Sequence, residues 1–334
     1  MDTKRYADGD QLLHLLYTQQ FERPLLDRLF KIAEKSRALC QSEIGAKLLR
    51  DCLPHRKALL YFVQPSTRTV LSFRAAAETL GMSAAIVQDP RTSSEYKGES
   101  PLDSVHTFAM YHDLIVIRYP EAGFAKSCVD YFIDHGISKH IVNGGAGMEQ
   151  HPTQALLDLY TLHREYSHRG GLDGRRIMVV GDLLRGRAVQ SLIYLLAKYE
   201  NMRIDLVSPV QLQLPKELKQ YISAKKIVWR ESETMDEFIA EADAIYMTRV
   251  QDEYSREGVP QKLDYSGCSL SADVIRQMPA DCIVLHPLPR RQEIPLSFDA
   301  DPRARYWDQV ENGMWARVAL IAHILGCEGK IRSA

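Results

Sequence analysis

The residues best suited to chemistry come in one short run. Ser66, Thr67, Arg68 and Thr69 follow an apolar stretch, Ala58 to Val63, through a Gln64-Pro65 step. Leu71, Phe73, Ala76, Ala77 and Leu80 then recur at roughly helical spacing until Gly81, so Ser66 to Thr69 are predicted to sit at a helix N-terminus. Free backbone N–H groups and the helix dipole attract anions there. The hydroxyls add donors, and the planar fork of Arg68 can hold two oxygens of a phosphate at once. Ser and Thr are also ordinary helix caps. The order strand, Pro-Ser-Thr-Arg-Thr, helix is what points to a phosphate cradle.

Three other segments place polar groups where an apolar strand ends or a helix begins: Arg118 after Ile115-Val116-Ile117, the run His151-Pro152-Thr153-Gln154, and the run His286-Pro287-Leu288-Pro289-Arg290. Such ends face clefts in α/β sheets. Taken singly, His151 with Pro152 at the first helical position also reads as a helix cap. Arg249, ending the apolar run 243 to 247, also reads as a surface cation, and Lys97 in the polar stretch Ser93 to Ser100 as a solvated charge. Gly181 to Arg187 has two glycines at P-loop-like spacing, but Arg187-Ala188 stands where Lys-Ser/Thr would hold a nucleotide phosphate and magnesium. No G-x-G-x-x-G fingerprint marks a dinucleotide site.

These groups need a scaffold, and the pattern of apolar runs supplies one. Short runs at 58–63, 84–87, 114–117, 177–180, 204–207, 226–229, 243–247 and 282–285 are separated by segments long enough for crossover helices, which predicts parallel sheets. The fold class is α/β: two doubly wound domains, each a mostly parallel sheet flanked by helices, joined by bridging helices. A seam is expected near Asn143-Gly144-Gly145-Ala146-Gly147, with a bridging helix from His151 to about Tyr166 and a final helix from Asn312 to Leu325.

Composition narrows the partners. The 334 residues carry 42 basic and 43 acidic side chains, a formal charge of −1, so no global field draws nucleic acid or a membrane surface. Any anion site is therefore local. The six cysteines lack a C-x-x-C pair, which argues against a zinc site or disulfide framework and for buried free thiols. With no signal-peptide core and no run of about 18 apolar residues, a cytoplasmic protein is expected.

Pro-Ser-Thr-Arg-Thr, Arg118, His-Pro-Thr-Gln, Met247-Thr248-Arg249-Val250-Gln251 and His-Pro-Leu-Pro together resemble the aspartate/ornithine carbamoyltransferase family, from about residue 50 to residue 325. His-Pro-Leu-Pro favours the aspartate branch, since ornithine enzymes usually carry His-Cys-Leu-Pro. The resemblance implies a carbamoyl phosphate-binding domain at 1–150, completed by a C-terminal helix at about 306–334, and an aspartate-binding domain at 151–305. It implies transfer of a carbamoyl group from carbamoyl phosphate to the amine of L-aspartate on the way to pyrimidines, a reaction that calls for no cofactor or metal. Ser66, Thr67, Arg68 and Thr69 would bind the phosphate, Arg118 the phosphate and carbonyl oxygen, His151 the carbonyl oxygen, and Gln154 the carbamoyl amide. Arg187, in the cleft between domains, would join Arg249 and Gln251 on the carboxylates of aspartate, with the Pro287 and Leu288 carbonyls accepting from its amine.

By the same resemblance, the loop with Ser93 and Lys97 reaches into the active site of an adjacent chain, where Lys97 serves both substrates. The working unit is then a homotrimer with shared sites. A regulatory chain or a dihydroorotase partner is left open. Gln64, Val70, Tyr254 and Gln292 depart from the residues usual in the family, and Gln64 with Tyr254 implies loss of an interdomain ion pair. Two rival readings follow: transfer to another amino acid, and a silent paralogue that keeps an anion pocket.

Overall fold

Runs such as Leu114-Ile115-Val116-Ile117 and Ala244-Ile245-Tyr246-Met247 have no polar face to turn to solvent, and each is wholly buried. Strands apolar on both faces belong inside parallel sheets covered by helices. The computed structural model describes residues 4–89, 94–145, 150–249 and 264–334, and its contacts divide into two units, Met1–Leu157 with Asn312–Ala334, and Asp158–Glu311.

The first unit opens with a small antiparallel ribbon, β1 (Ala7–Asp8) and β2 (Gln11–Leu12), followed by α1 (Arg23–Leu39) and α2 (Glu43–Arg50). Then come β3 (Lys57–Tyr61), α3 (Thr67–Thr79), β4 (Ser83–Val87), α4 (Pro101–Tyr111), β5 (Leu114–Ile117), α5 (Phe124–Asp134) and β6 (His140–Asn143). The four main strands are parallel in the order β4-β3-β5-β6. The chain starts in the middle at β3, steps to β4, then returns to the other side of β3 with β5. The division into units falls within α6 (Pro152–Tyr166).

The second unit repeats the device. Its elements are β7 (Arg176–Val180), α7 (Arg187–Leu196), β8 (Arg203–Val207), α8 (Lys216–Ala224), β9 (Val228–Ser232), β10 (Ala244–Met247), α9 (Ala272–Gln277) and β11 (Ile283–Leu285). The parallel order is β11-β10-β7-β8-β9, so the reversal lies between β7 and β10. Helix α10 (Tyr306–Ile324) begins in this unit, and its residues from Asn312, with α11 (Glu328–Arg332), belong to the first. There the Arg317 guanidinium donates to Ser72 Oγ at 3.0 Å and lies over the Phe73 ring, and Lys330 Nζ donates to the Cys52 carbonyl.

The expected two-domain α/β fold of parallel sheets is thus present. Strand β6 is the element the apolar pattern missed, because only Ile141 and Val142 are apolar in it and Asn143-Gly144-Gly145 reads as a breaker. Strand β9 begins two residues later than expected, after Lys226 in the left-handed region at φ 61°. On α3 the inner face is Val70, Phe73, Ala76, Ala77 and Leu80, whereas Leu71 is 55% exposed. Val70 is therefore a packing residue here. Five of the six cysteines are buried, and Cys40 is exposed.

The N-terminal segment is part of the core, with Leu15, Leu16 and Phe21 buried. Leu15 forms a parallel bridge to Val142 on β6, donating to the Ile141 carbonyl and accepting from the Asn143 amide at 3.0 and 2.7 Å. Gln20 stitches it from below, accepting from the Leu16 and Tyr17 amides and donating to the His14 carbonyl. In the second unit the buried Asp158 carboxylate accepts from Tyr246 Oη and Gln309 Nε2, both at 2.6 Å. Gln309 in turn accepts the His286 amide at 2.8 Å.

Buried histidines hold the N-terminal segment as acceptors. The Ile141 amide donates to His14 Nδ1 at 3.2 Å, and the Leu12 amide donates to His323 Nε2 at 3.1 Å. Burial, aided by the neighbouring His140, brings His14 down from 6.5 to about 4. Between those values the unfolded chain binds a proton that the folded chain does not, so stability is full above the unfolded value and falls as pH drops. Denaturant midpoints should therefore decline from pH 6.5 towards 4, His14 accounting for on the order of 3 kcal/mol. His14→Asn keeps an acceptor without a titration and should flatten that decline. An unchanged pH profile in this variant would refute the assignment.

Candidate functional site

In the first unit the candidate residues gather at the strand reversal. Tyr61 at the end of β3 pairs with Ile117 at the end of β5, so the turn into α3 and Arg118 leave the sheet side by side. The Arg118 amide donates to the Tyr61 carbonyl, and the Gln64 amide to the Arg118 carbonyl at 3.1 Å. Ser66 is the N-cap of α3 in extended conformation, and its Oγ donates to Thr69 Oγ1 at 2.9 Å instead of capping the helix. Thr67 and Arg68 are exposed and Thr69 is buried. A 13-residue helix thus presents its N-terminal amides with hydroxyls on either side.

His151 and Arg118 meet over Gly145. A Cβ on Gly145 would come within 2.7 Å of the His151 ring and 2.8 Å of Arg118 Nη1, so only glycine lets the backbone pass beneath both groups. Its φ of +98° is also one that other residues rarely adopt. Arg118 Nη1 donates to the Gly144 carbonyl at 3.4 Å. The Gln154 amide donates to His151 Nδ1 at 3.3 Å, so a neutral ring carries its proton on Nε2, the nitrogen nearest Gly145 and Arg118. His151 therefore caps α6 with one nitrogen and keeps the other as a donor.

In the second unit the arginines stand at the corresponding reversal. Val180 of β7 pairs with Met247 of β10. Gly181 follows β7 at φ +113°, and a Cβ there would lie 2.2 Å from the Thr248 carbonyl. Close contact with the neighbouring strand explains this glycine, rather than a phosphate loop. The turn is rigid: Asp182 accepts from the Arg185 amide and Nε at 2.9 and 2.7 Å, within a buried pair, and the Asp182 amide donates to Thr248 Oγ1 at 3.2 Å. That turn delivers Arg187 to the first position of α7, while Thr248 fixes the backbone just before Arg249. Both guanidinium-bearing side chains are partly buried.

The next strand over, β11, ends at His286. Its ring is enclosed, with Nδ1 accepting from the Leu288 amide at 2.8 Å and Nε2 donating to Glu293 at 2.9 Å. Burial opposes the charge on Glu293, but hydrogen bonds from His286 and from the Arg291 amide outweigh it and hold the carboxyl below its ordinary value. His286 is thus an internal brace for the turn of half-buried Pro287 and Leu288, where Leu288 takes φ 54° and the Leu288–Pro289 bond is cis.

Lys97 ends a short 3-10 turn, Ser94–Lys97, and is exposed. The loop is tied to its own chain on both sides, by Glu95 against Tyr61 Oη and by Ser104 Oγ donating to Glu99 at 2.8 Å. Among the described residues Lys97 itself has no partner. Ser93, Gln251 and Tyr254 lie outside the described residues. The sequence places Asn143 and Gly145 only in an expected seam and assigns them no part in the site; a polar residue closing an apolar run before Gly-Gly is the available signal.

The family model for the aspartate/ornithine carbamoyltransferase carbamoyl-P binding domain matches residues 13–164, and that for the Asp/Orn binding domain matches residues 173–324. Aspartate carbamoyltransferase 2, chloroplastic, of Pisum sativum is 38% identical over 324 residues, 96% of this chain and 81% of the relative. Among solved structures, the catalytic subunit of M. jannaschii aspartate transcarbamoylase superposes with a TM-score of 0.82 at 34% identity, covering 94% of this chain and 98% of that one. Aspartate transcarbamoylase from Trypanosoma cruzi in complex with aspartate and phosphate gives 0.80 at 31% identity, over 93% and 95%. The match begins well before residue 50 and takes in most of the N-terminal segment that the motifs alone had left aside. On matches that run through both units, the chain belongs to the aspartate/ornithine carbamoyltransferase family.

Proposed function

We propose that this chain is an aspartate carbamoyltransferase, joining the carbamoyl group of carbamoyl phosphate to the amine of L-aspartate with release of phosphate. The observation that carries the reading is the pairing of Arg118 and His151 over Gly145 beside the N-terminus of α3. The unit with Ser66 to Thr69 holds the phosphate on helix amides and hydroxyls, with Arg68 gripping two of its oxygens. Arg118 spans phosphate and carbonyl oxygen, and the Nε2–H of His151 donates to the same carbonyl oxygen. Gln154 reads the carbamoyl amide.

In the second unit, Arg187 and Arg249 take the two carboxylates of the amino acid, together with Gln251. Two arginines at adjacent strand ends suit a dicarboxylate, and an ornithine side chain would meet them with like charge. The similarity to aspartate carbamoyltransferases supports the same substrate. The Pro287 and Leu288 carbonyls accept from the amine and aim its lone pair. In the transfer, the amine nitrogen forms a bond to the carbonyl carbon, the bond from that carbon to the phosphate oxygen breaks, and the amine proton leaves with the phosphate. Catalysis is positioning plus stabilisation of charge growing on the carbonyl and leaving oxygens.

Lys97 is exposed on a loop anchored at both ends to its own chain, which supports a role for it, with Ser93, in the active site of another copy of a homotrimer. Carbamoyl phosphate turnover with L-aspartate, L-ornithine and other amino acids in parallel should give carbamoyl-aspartate alone. Arg249→Ala should lower kcat/KM by about 2 to 5 kcal/mol of transition-state stabilisation. Product from another amine, or phosphate-site binding with no product from any, overturns the assignment. Lys97→Ala and Arg68→Ala chains, each inactive, should regain roughly a quarter of the activity when mixed and reassembled, since random pairing restores that share of shared sites. Complete failure of complementation would reject the shared site.

A further inference from the structure

Asn143 lies at the end of β6, outside the residues expected to touch either substrate, yet both ends of its side chain are committed. Its Oδ1 accepts the Gly145 amide at 2.8 Å, and its Nδ2 donates to the Leu16 carbonyl at 3.0 Å. The residue is 2% exposed. Gly145 is the backbone on which the His151 ring and Arg118 Nη1 rest, with no room for a methyl group. The Leu16 end leads into the N-terminal segment, itself fixed to β6 through Leu15 and to the residue before His151 by the Thr18 amide donating to Gln150 Oε1 at 2.7 Å.

We propose that Asn143 is a positioning residue for carbamoyl transfer: it sets the height of Gly145 and thereby the contact geometry of Arg118 and His151, using the N-terminal segment as its fixed support. The proposal rests on the function given above. The physical argument is one of leverage. The amide of Asn143 replaces water in a buried site with two hydrogen bonds of fixed length. Gly145, at φ +98°, has a wide choice of backbone conformations without that restraint. A shift of well under an ångström there moves both groups that face the carbonyl oxygen, where misplacement is costly. Ser66 to Thr69 on α3 do not rest on Gly145, and of the groups assigned to the phosphate only Arg118 does, so transfer should fall much further than phosphate binding.

The test compares the wild-type chain with Asn143→Ala and, as a second route to the same displacement, Gly145→Ala. Both variants should lose kcat by roughly 10- to 100-fold, with KM for L-aspartate and the Kd for inorganic phosphate, measured by calorimetry, each within about 3-fold of wild type. The ¹⁵N signals of the His151 imidazole should move in both. Turnover within about 2-fold of wild type in Asn143→Ala overturns the proposal, as does a parallel fall of kcat, phosphate affinity and melting temperature, the mark of general loosening. If the wild-type chain itself makes no carbamoyl product, the functional reading fails separately. The positioning role is then decided by the His151 signals, which support it if they shift while phosphate binding persists and refute it if they stay.

Discussion

A parallel sheet that begins at an interior strand must reverse direction, because right-handed crossovers lead the chain away on one side before it can return to the other. At the reversal the two flanking connections leave the same pair of strand ends towards opposite faces, and the carboxyl ends between them stay uncovered. This chain makes the reversal twice, beside β3 and beside β7. Nearly every residue proposed to touch a substrate follows one of the strands at these reversals: Ser66 to Thr69 after β3, Arg118 after β5, Arg187 after β7 and Arg249 after β10. The strand register fixes which of them stand together.

Within that frame, rigidity comes from backbone hydrogen bonds and close contacts more than from ion pairs at the surface. Gly181 can touch the Thr248 carbonyl because it has no side chain, and the Asp182–Arg185 pair locks the turn that follows. His286 is filled on both nitrogens, so its role is to shape the Pro287–Leu288 turn rather than to exchange protons. His151 accepts a helix amide on Nδ1 and turns Nε2 towards Gly145 and Arg118. The same residue type is a brace in one unit and a donor in the other, and hydrogen-bond partners decide which.

The N-terminal segment is tied to the backbone beneath Arg118 and His151. Leu15 extends β6 by a bridge, buried histidines accept from its neighbours, and Asn143 carries its position to Gly145. The charged groups near the beginning of the chain gave the sequence no reason to place it there. One departure from the family pattern has a visible local cause: Val70 is 3% exposed, on the inner face of α3 with Phe73.

By itself the sequence determined the alternation of strand and helix, the parallel sheets, and the place of Ser-Thr-Arg-Thr at a helix N-terminus, since each depends on local spacing: an apolar run of about five, a turn, a 3.6-residue period. It also marked Arg118, His151, Arg187 and Arg249 as ends of elements. Only the tertiary structure decided that Gly145 runs beneath Arg118 and His151, that Asn143 spans to Leu16 across 127 positions of chain, and that β6, with two apolar residues at its centre, is a strand at all. Those outcomes rest on contacts between segments distant in sequence, where packing and hydrogen-bond partners override local propensity. A periodicity records how one element meets the core, and carries no record of which other element lies against it.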